Sequence, residues 1–210
     1  MQVVVLADTG LKEELLEQGL NEQLELKWLT DIEELKESAK AAACIDLLFE
    51  PAPKRIELLK EMLPRPVLVN SVVTTLKDLP ENFVRINGWP TFLKRTIIES
   101  ACNDISTKKR TEEIFSLLNK KVEWVADEPG FITARIVAMI INEAYFALGE
   151  GVSSKNEIDV AMKLGTNYPY GPFEWAEKIS TKKIVALLNE LSGSNKRFEP
   201  SEWLKKELQQ

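Results

Sequence analysis

The chain has no histidine among its 210 residues. Imidazole is the one side chain whose ordinary pKa allows proton exchange near neutrality, so chemistry that needs a histidine general acid/base has no carrier here. Cysteine is nearly as scarce. Cys44 and Cys102 stand alone in separate apolar segments, which argues against a disulfide framework or a zinc site and predicts two buried thiols in a reducing compartment. Positive charge is in deficit: the net charge of -6 repels nucleic acid and anionic membranes, so neither is expected as a partner. Lys108-Lys109-Arg110 and Lys120-Lys121 are short basic runs, read as solvated faces. Long apolar runs are missing too. The stretch Phe131 to Leu148 is interrupted by Arg135, Asn142 and Glu143, which reads as a buried or interface helix and not a membrane span. Met1 to Asp8 carries no basic segment, and its short apolar stretch breaks at Asp8, so no signal peptide is read there and a cytoplasmic location is expected. No internal repeat and no low-complexity linker is present.

What is present is an ordinary globular composition, 44% apolar and 29% charged, in a chain long enough for one large domain or two small ones. Through the first hundred residues short apolar runs alternate with helical patterns. Val3–Leu6, Leu24–Trp28, Ala43–Phe49, Pro66–Val69, Phe83–Ile86 and Thr96–Ile98 read as strands. Helical segments fall at Leu11–Gln18, Asp31–Lys40 and Lys54–Met62. Buried strands in alternation with helices predict a parallel, doubly wound sheet. A further helix near Thr107–Lys120 leads to a short strand at Val122–Val125, after which the pattern turns purely helical. Asp127 and Pro129 read as a helix start. Ser154-Lys155-Asn156-Glu157 is a capping box, with Gly165 read as the stop of its helix. Lys182–Leu191 is another helix, and the polar tail is expected to be partly helical.

Four motifs of the helical half occur in a set order: Asp127-Glu-Pro-Gly-Phe-Ile-Thr-Ala-Arg135, Asn142-Glu-Ala144, Glu150-Gly-Val152 with Ile158-Asp-Val-Ala-Met-Lys-Leu-Gly165, and Pro169-Tyr-Gly-Pro-Phe-Glu174. Together they resemble the helical C-terminal domain of the 3-hydroxyacyl-CoA dehydrogenases. The resemblance implies a shortened Rossmann-like α/β domain over residues 1–126, followed by a small all-α dimerisation domain over 127–210. It also implies an NAD-dependent hydride transfer on an acyl-CoA thioester, in fatty-acid metabolism, with a histidine as acid/base and a glutamate that orients it.

The residues depart from that pattern at each chemical position. A dinucleotide-binding turn needs glycines after the first strand so that backbone amides can approach a pyrophosphate. Here the turn is Ala7-Asp8-Thr9-Gly10, with Glu13 and Glu14 close behind; these acids suit a helix start and would repel a pyrophosphate. Asp31, near the place of a ribose-binding acid, reads as an N-cap. Where the resemblance places the histidine, twelve residues before Glu99, the chain has Asn87. An amide cannot exchange a proton near neutral pH, which leaves Glu99 as an orienting carboxylate with no imidazole to orient. The asparagine that precedes the family's arginine is Ala134 here, and the hydroxyl near the end of the fourth strand corresponds to Ser71. The long helical excursion that the family carries after its second strand is reduced to about a dozen residues, room for a single crossover.

Three functions are thereby expected in order. The first is a dehydrogenase-like protein without hydride-transfer activity, a homodimer (or a heteromer with an active relative) through its helical domain. The second is a binding module for an acyl-CoA or a nucleotide, with Ser71, Asn87, Trp89 and Glu99 lining a site beyond the carboxyl ends of the strands. The third is an active or altered 3-hydroxyacyl-CoA dehydrogenase. No cofactor is expected unless the third holds, in which case it is NAD; no metal is expected.

Overall fold

A computed structural model of the chain describes residues 1–38 and 40–208, which divide into two compact units, 1–131 and 132–210. The first unit is built on seven strands: β1 Gln2–Leu6, β2 Glu25–Leu29, β3 Ala43–Asp46, β4 Val67–Val69, β5 Phe83–Ile86, β6 Ile97–Ala101 and β7 Lys121–Trp124. They lie in the order β2-β1-β3-β4-β5-β6-β7. Alternate side chains of a strand face opposite sides of the sheet, so a run such as Val3-Val4-Val5-Leu6 is wholly buried only if both sides are covered. Both are. Val3 and Val5 pack with Leu11, Leu15, Ile114 and Phe115 from helices α1 (Thr9–Leu16) and α3 (Ile105–Leu117). Val4 and Leu6 pack with Leu35, Leu59 and Met62 from the 3-10 turn 32–38, from α2 (Pro53–Lys60) and from the residues after α2. The sheet is doubly wound, as the alternation of the sequence predicts.

Three features differ from the sequence reading. The pairing of β5 with β6 is antiparallel, so the sheet is parallel only on either side of that join. The segment after β2 forms the 3-10 turn Ile32–Ser38 in place of an α-helix, with Asp31 accepting a hydrogen bond from the Glu33 N–H at 2.9 Å. Lys120, read as solvated, is buried. Its ammonium donates to the carbonyls of Leu93 and Arg95, each at 2.8 Å, and burial pushes its pKa down to about 8 against the pull of Glu14 and Glu17.

A buried guanidinium organises the far side of the first unit. Arg85, on β5, donates from Nε to the Ser71 carbonyl at 2.9 Å and from Nη2 to the Val72 carbonyl at 3.1 Å. It pairs with Asp127 through Nη1, and its plane lies 4.6 Å from the centre of the Phe131 ring. Asp127 in turn accepts from the Leu76 N–H at 2.9 Å, and the Gly130 N–H donates to the Val72 carbonyl at 2.8 Å. Asp127 therefore does not cap α4 (Thr133–Gly149). Gly130 and Phe131 have φ of 84° and 50°, left-handed values that interrupt helical geometry, and helix α4 begins only at Thr133.

The second unit holds α4 (Thr133–Gly149), α5 (Lys155–Thr166), α6 (Pro172–Ile179), α7 (Thr181–Ser192) and the short α8 (Glu202–Glu207). The capping box predicted at Ser154 and Glu157 is formed. The helix it opens ends at Asn167 (φ 56°), not at Gly165, because asparagine tolerates the left-handed turn that closes a helix. Helix α6 was not anticipated. Its start is set by Pro172 in the first turn and by a buried carboxylate from α5: Asp159 accepts from the Phe173 and Glu174 N–H groups at 2.8 and 3.2 Å. Glu174 closes the corner by accepting from the Gly171 N–H and pairing with Lys163. Asn142, on α4, uses both ends of its amide on the tail, donating to the Glu199 carbonyl and accepting from the Ser201 N–H. The motif residues of this half thus set helix ends and tie the tail down. Among the described residues no helix is long and apolar enough to cross a membrane.

Two substitutions check these readings. Asp127→Ala leaves the Arg85 guanidinium buried without its counter-ion and is expected to cost about 3–5 kcal/mol, measured as a lower urea midpoint at an unchanged slope. A methyl group on residue 171 would lie 2.2 Å from an Asp159 carboxylate oxygen. Gly171→Ala is therefore expected to destabilise by about 3 kcal/mol, and Asp159→Ala in the same chain to relieve part of that loss, so that the two costs fall short of adding.

Candidate functional site

In open α/β sheets ligands bind beyond the carboxyl ends of the strands, which here are the residues just after β1, β3, β4 and β5. After β1 only Ala7 and Asp8 precede helix α1. The Asp8 carboxylate accepts a hydrogen bond from the Leu11 N–H at 2.8 Å, so it caps α1 as an N-cap aspartate should. Thr9 and Gly10 are the first residues of that helix. Gly10 does not have the positive φ that would require glycine, and a methyl group there would meet nothing closer than 3.6 Å. A pyrophosphate at this helix start would meet a carboxylate where it needs free amides. The residues at this turn do not fit NAD.

After β3 the buried Asp46 is held by both forks of Arg55, at 2.7 and 2.6 Å. Burial raises the Asp46 pKa, and Arg55 and the Leu48 N–H oppose the rise. After β4, Asn70 crosses three strand ends. Its amide donates to the carbonyls of Leu47 and Gly88, at 3.1 and 3.0 Å, and accepts from the Gly88 N–H at 3.0 Å. The fit is close: a methyl group on residue 88 would lie 2.9 Å from the Asn70 side-chain carbonyl carbon. Ser71 turns its hydroxyl to the Thr74 carbonyl at 2.8 Å and so closes a local turn.

Asn87 and Glu99 are both buried and touch each other. The antiparallel register pairs Ile86 with Ser100, and one step on it sets Asn87 opposite Glu99. The Asn87 N–H donates to the Glu99 carbonyl at 3.0 Å, and its side-chain amide donates to the Glu99 carboxylate at 2.9 Å. Trp89, also buried, opens the loop that follows, its carbonyl accepting from Phe92 and Leu93. That loop is tied down from two sides. Glu14 of α1 accepts from the Thr91 N–H through both carboxylate oxygens at 2.8 Å, Thr91 having a φ of 74°, and Lys120 holds the carbonyls of Leu93 and Arg95. Burial lowers the Arg95 pKa, and the Glu99 carboxylate works against that.

Of the residues singled out from the sequence, the structure joins Asn87 to Glu99 and sets Trp89 next to them in the chain. Ser71 is spent on its own turn, and Asp8, Thr9 and Gly10 on a helix start. Ala134 is buried in the first turn of α4 in the second unit, where a methyl group offers no hydrogen bond. The sequence reading missed Asn70 with Gly88, Asp46 with Arg55, and Arg85. An asparagine directly after a buried strand and an Asn-Gly pair after the next were the available signals for the first pair. Cys44 and Cys102 are free and buried, and burial pushes both thiols up, away from the thiolate that a nucleophile needs. Among the described residues no cluster of three or more acidic or cysteine side chains could hold a metal.

Chemically, the pair offers a carboxylate and an amide already engaged with each other. It can position or exclude a group; an amide cannot carry a proton to or from one at neutral pH. Glu99→Ala, which removes the acceptor of the Asn87 amide, is expected to cost about 1–3 kcal/mol, and Glu99→Gln clearly less. Chemical denaturation of the three proteins side by side measures both.

Residues 130–210 match the family described as 3-hydroxyacyl-CoA dehydrogenase, C-terminal domain. The 3-hydroxyadipyl-CoA dehydrogenase of Escherichia coli K12 is 40% identical over 112 residues, which are 52% of this chain and 24% of that protein. A 3-hydroxybutyryl-CoA dehydrogenase of Bradyrhizobium diazoefficiens is 28% identical over 200 residues, 87% of this chain and 68% of the relative. The chain thus spans about a quarter of the first relative and two thirds of the second. Among solved structures, an (S)-3-hydroxybutyryl-CoA dehydrogenase from Ralstonia eutropha superposes with a TM-score of 0.73 at 20% identity, over 98% of this chain and 92% of that one. That likeness is one of fold.

Proposed function

We propose that this chain, whose helical half matches the 3-hydroxyacyl-CoA dehydrogenase C-terminal domain, is a member of that family that performs no hydride transfer and serves as an association module that pairs with itself through its helical unit. The observation that carries the reading is Asn87. It stands where the family resemblance places the proton carrier, and its side-chain amide is bound to Glu99 at 2.9 Å. The geometry of an acid/base pair is kept while the group that would exchange the proton is replaced by one that cannot. The start of α1 supports the same reading, since Asp8 takes the Leu11 amide and sets a carboxylate where a dinucleotide phosphate would sit. So does the short connection 30–42 between β2 and β3, which leaves out the helical excursion the resemblance implies.

The test has two parts. Purified protein mixed with acetoacetyl-CoA and NADH is expected to leave the NADH absorbance at its spontaneous rate, and titration with NADH alone to give no heat of binding. Turnover above background would overturn the non-catalytic reading. Light scattering is expected to give the molar mass of two chains, and a mass of one chain at every concentration would overturn the association reading.

A further inference from the structure

One face of α4, with Val137, Ala138, Ile141 and Tyr145, is buried. The other carries a groove of about 470 Å³, built wholly from residues of the second unit. Its floor is apolar: Ile136, which is 54% exposed, with Met139 and Ile140 half-buried beyond it. Its two ends carry opposite charge. At one end Arg135 and Arg197 both lie over the Phe198 ring, their guanidinium carbons 5.5 and 4.5 Å from its centre. At the other end stands the exposed carboxylate of Glu143.

Two like charges held over one ring repel each other unless an anion joins them. Neither arginine belongs to an ion pair among the described residues, and neither does Glu143. The Nε of Arg135 is enclosed, and no acceptor of the described residues reaches it. A guanidinium binds a carboxylate through two parallel hydrogen bonds, so unmet donors beside an apolar floor suit an acid with an apolar body. The volume is that of a small-molecule site.

We propose that this groove binds a straight-chain monocarboxylate, its head against Arg135 and Arg197 and its chain along Ile136, Met139 and Ile140. Two observations set the class. Arg135 and Glu143 are eight residues apart on one helix, which is about 12 Å at the rise of an α-helix. The floor follows the helix axis over that span, so an extended chain gains with each methylene it lays down. Glu143 stands at the far end. A second carboxylate there would meet a like charge, so a dicarboxylate of the same length is rejected by repulsion and not for want of room. Binding of this kind uses neither Asn87 nor Glu99 and goes beyond the pairing proposed above.

Calorimetry and the methyl resonance of Met139 follow binding to the full chain, with octanoate as the probe and circular dichroism to confirm that each variant folds. Octanoate is expected to bind and to shift that resonance. 1-Octanol, which has the chain and lacks the charge, is expected to bind about tenfold more weakly. Hexanoate, shorter by two methylenes, is expected to lose about tenfold as well. Octanedioate is expected to bind about tenfold more weakly than octanoate, and Glu143→Arg to reverse that order, because the far carboxylate then meets a cation. Arg197→Ala, at an exposed position, is expected to weaken octanoate about tenfold and to leave 1-octanol unmoved. No binding of octanoate at millimolar concentration would overturn the site. Octanol and octanoate bound alike would overturn the arginine end and leave a bare apolar patch. Octanedioate bound by the wild-type chain as tightly as octanoate would overturn the role of Glu143. All of these outcomes are separate from that of the light-scattering test of self-pairing.

Discussion

Arg85 holds the first unit together at its centre. A guanidinium fully removed from water is costly unless its fork of donors is met, and here it is met on every side: by Asp127, by the carbonyls of Ser71 and Val72, and by the face of Phe131. Burial lowers its pKa, and Asp127 works against that. The arrangement ties the segment 127–131, which no strand pairing reaches, to the turn after β4 and the middle of β5. The turn after β4 is where Asn70 and Ser71 leave the sheet, so the strand ends that form the candidate site depend on a charge two residues before Asn87. The cation and its acceptors constrain one another. A lysine in its place would keep the charge and lose the fork.

Much of this fold was legible because burial leaves a mark on sequence. Four consecutive apolar residues at Val3–Leu6 can be satisfied only by a sheet covered on both faces, and the two cores that cover it are there. The capping box at Ser154 and Glu157 was legible for a similar reason, since both partners lie within one turn. What failed were local signals answered by distant groups. Asp127 has the chemistry of a helix cap and sits near a proline, yet Arg85, 42 residues earlier, claims it. Lys120 stands in a basic pair that reads as solvated, yet two carbonyls of the loop after Trp89 take its ammonium. Local sequence cannot show which of two competing partners wins.

The candidate site divides along the same line. The pairing of Asn87 with Glu99 was expected from the resemblance alone, whereas the reason for their contact is the antiparallel step between β5 and β6, which the alternation of strands and helices did not reveal. The contacts Asn70–Gly88 and Asp46–Arg55 link side chains to other strand ends and leave no periodic trace. Ser71, Thr9 and Gly10 were picked by their place relative to a strand end, and each turned out to serve its own turn or helix. The motifs that carry the resemblance have a related lesson. Asn142, Asp159 and Gly171 all have structural tasks in the helical unit, so a chain can keep them without keeping any chemistry.

The bridge between Asn70 and Gly88 bears on how such a chain can drift. Residue 88 cannot gain a side chain while Asn70 stands 2.9 Å from where its first carbon would go. Asn70 cannot be lost first without stranding the carbonyls of Leu47 and Gly88 and the N–H of Gly88. Neither position can move alone, so each holds the other in place whether or not selection still acts on a reaction. The rim of strand ends is thus kept by the architecture itself, through mutual obstruction.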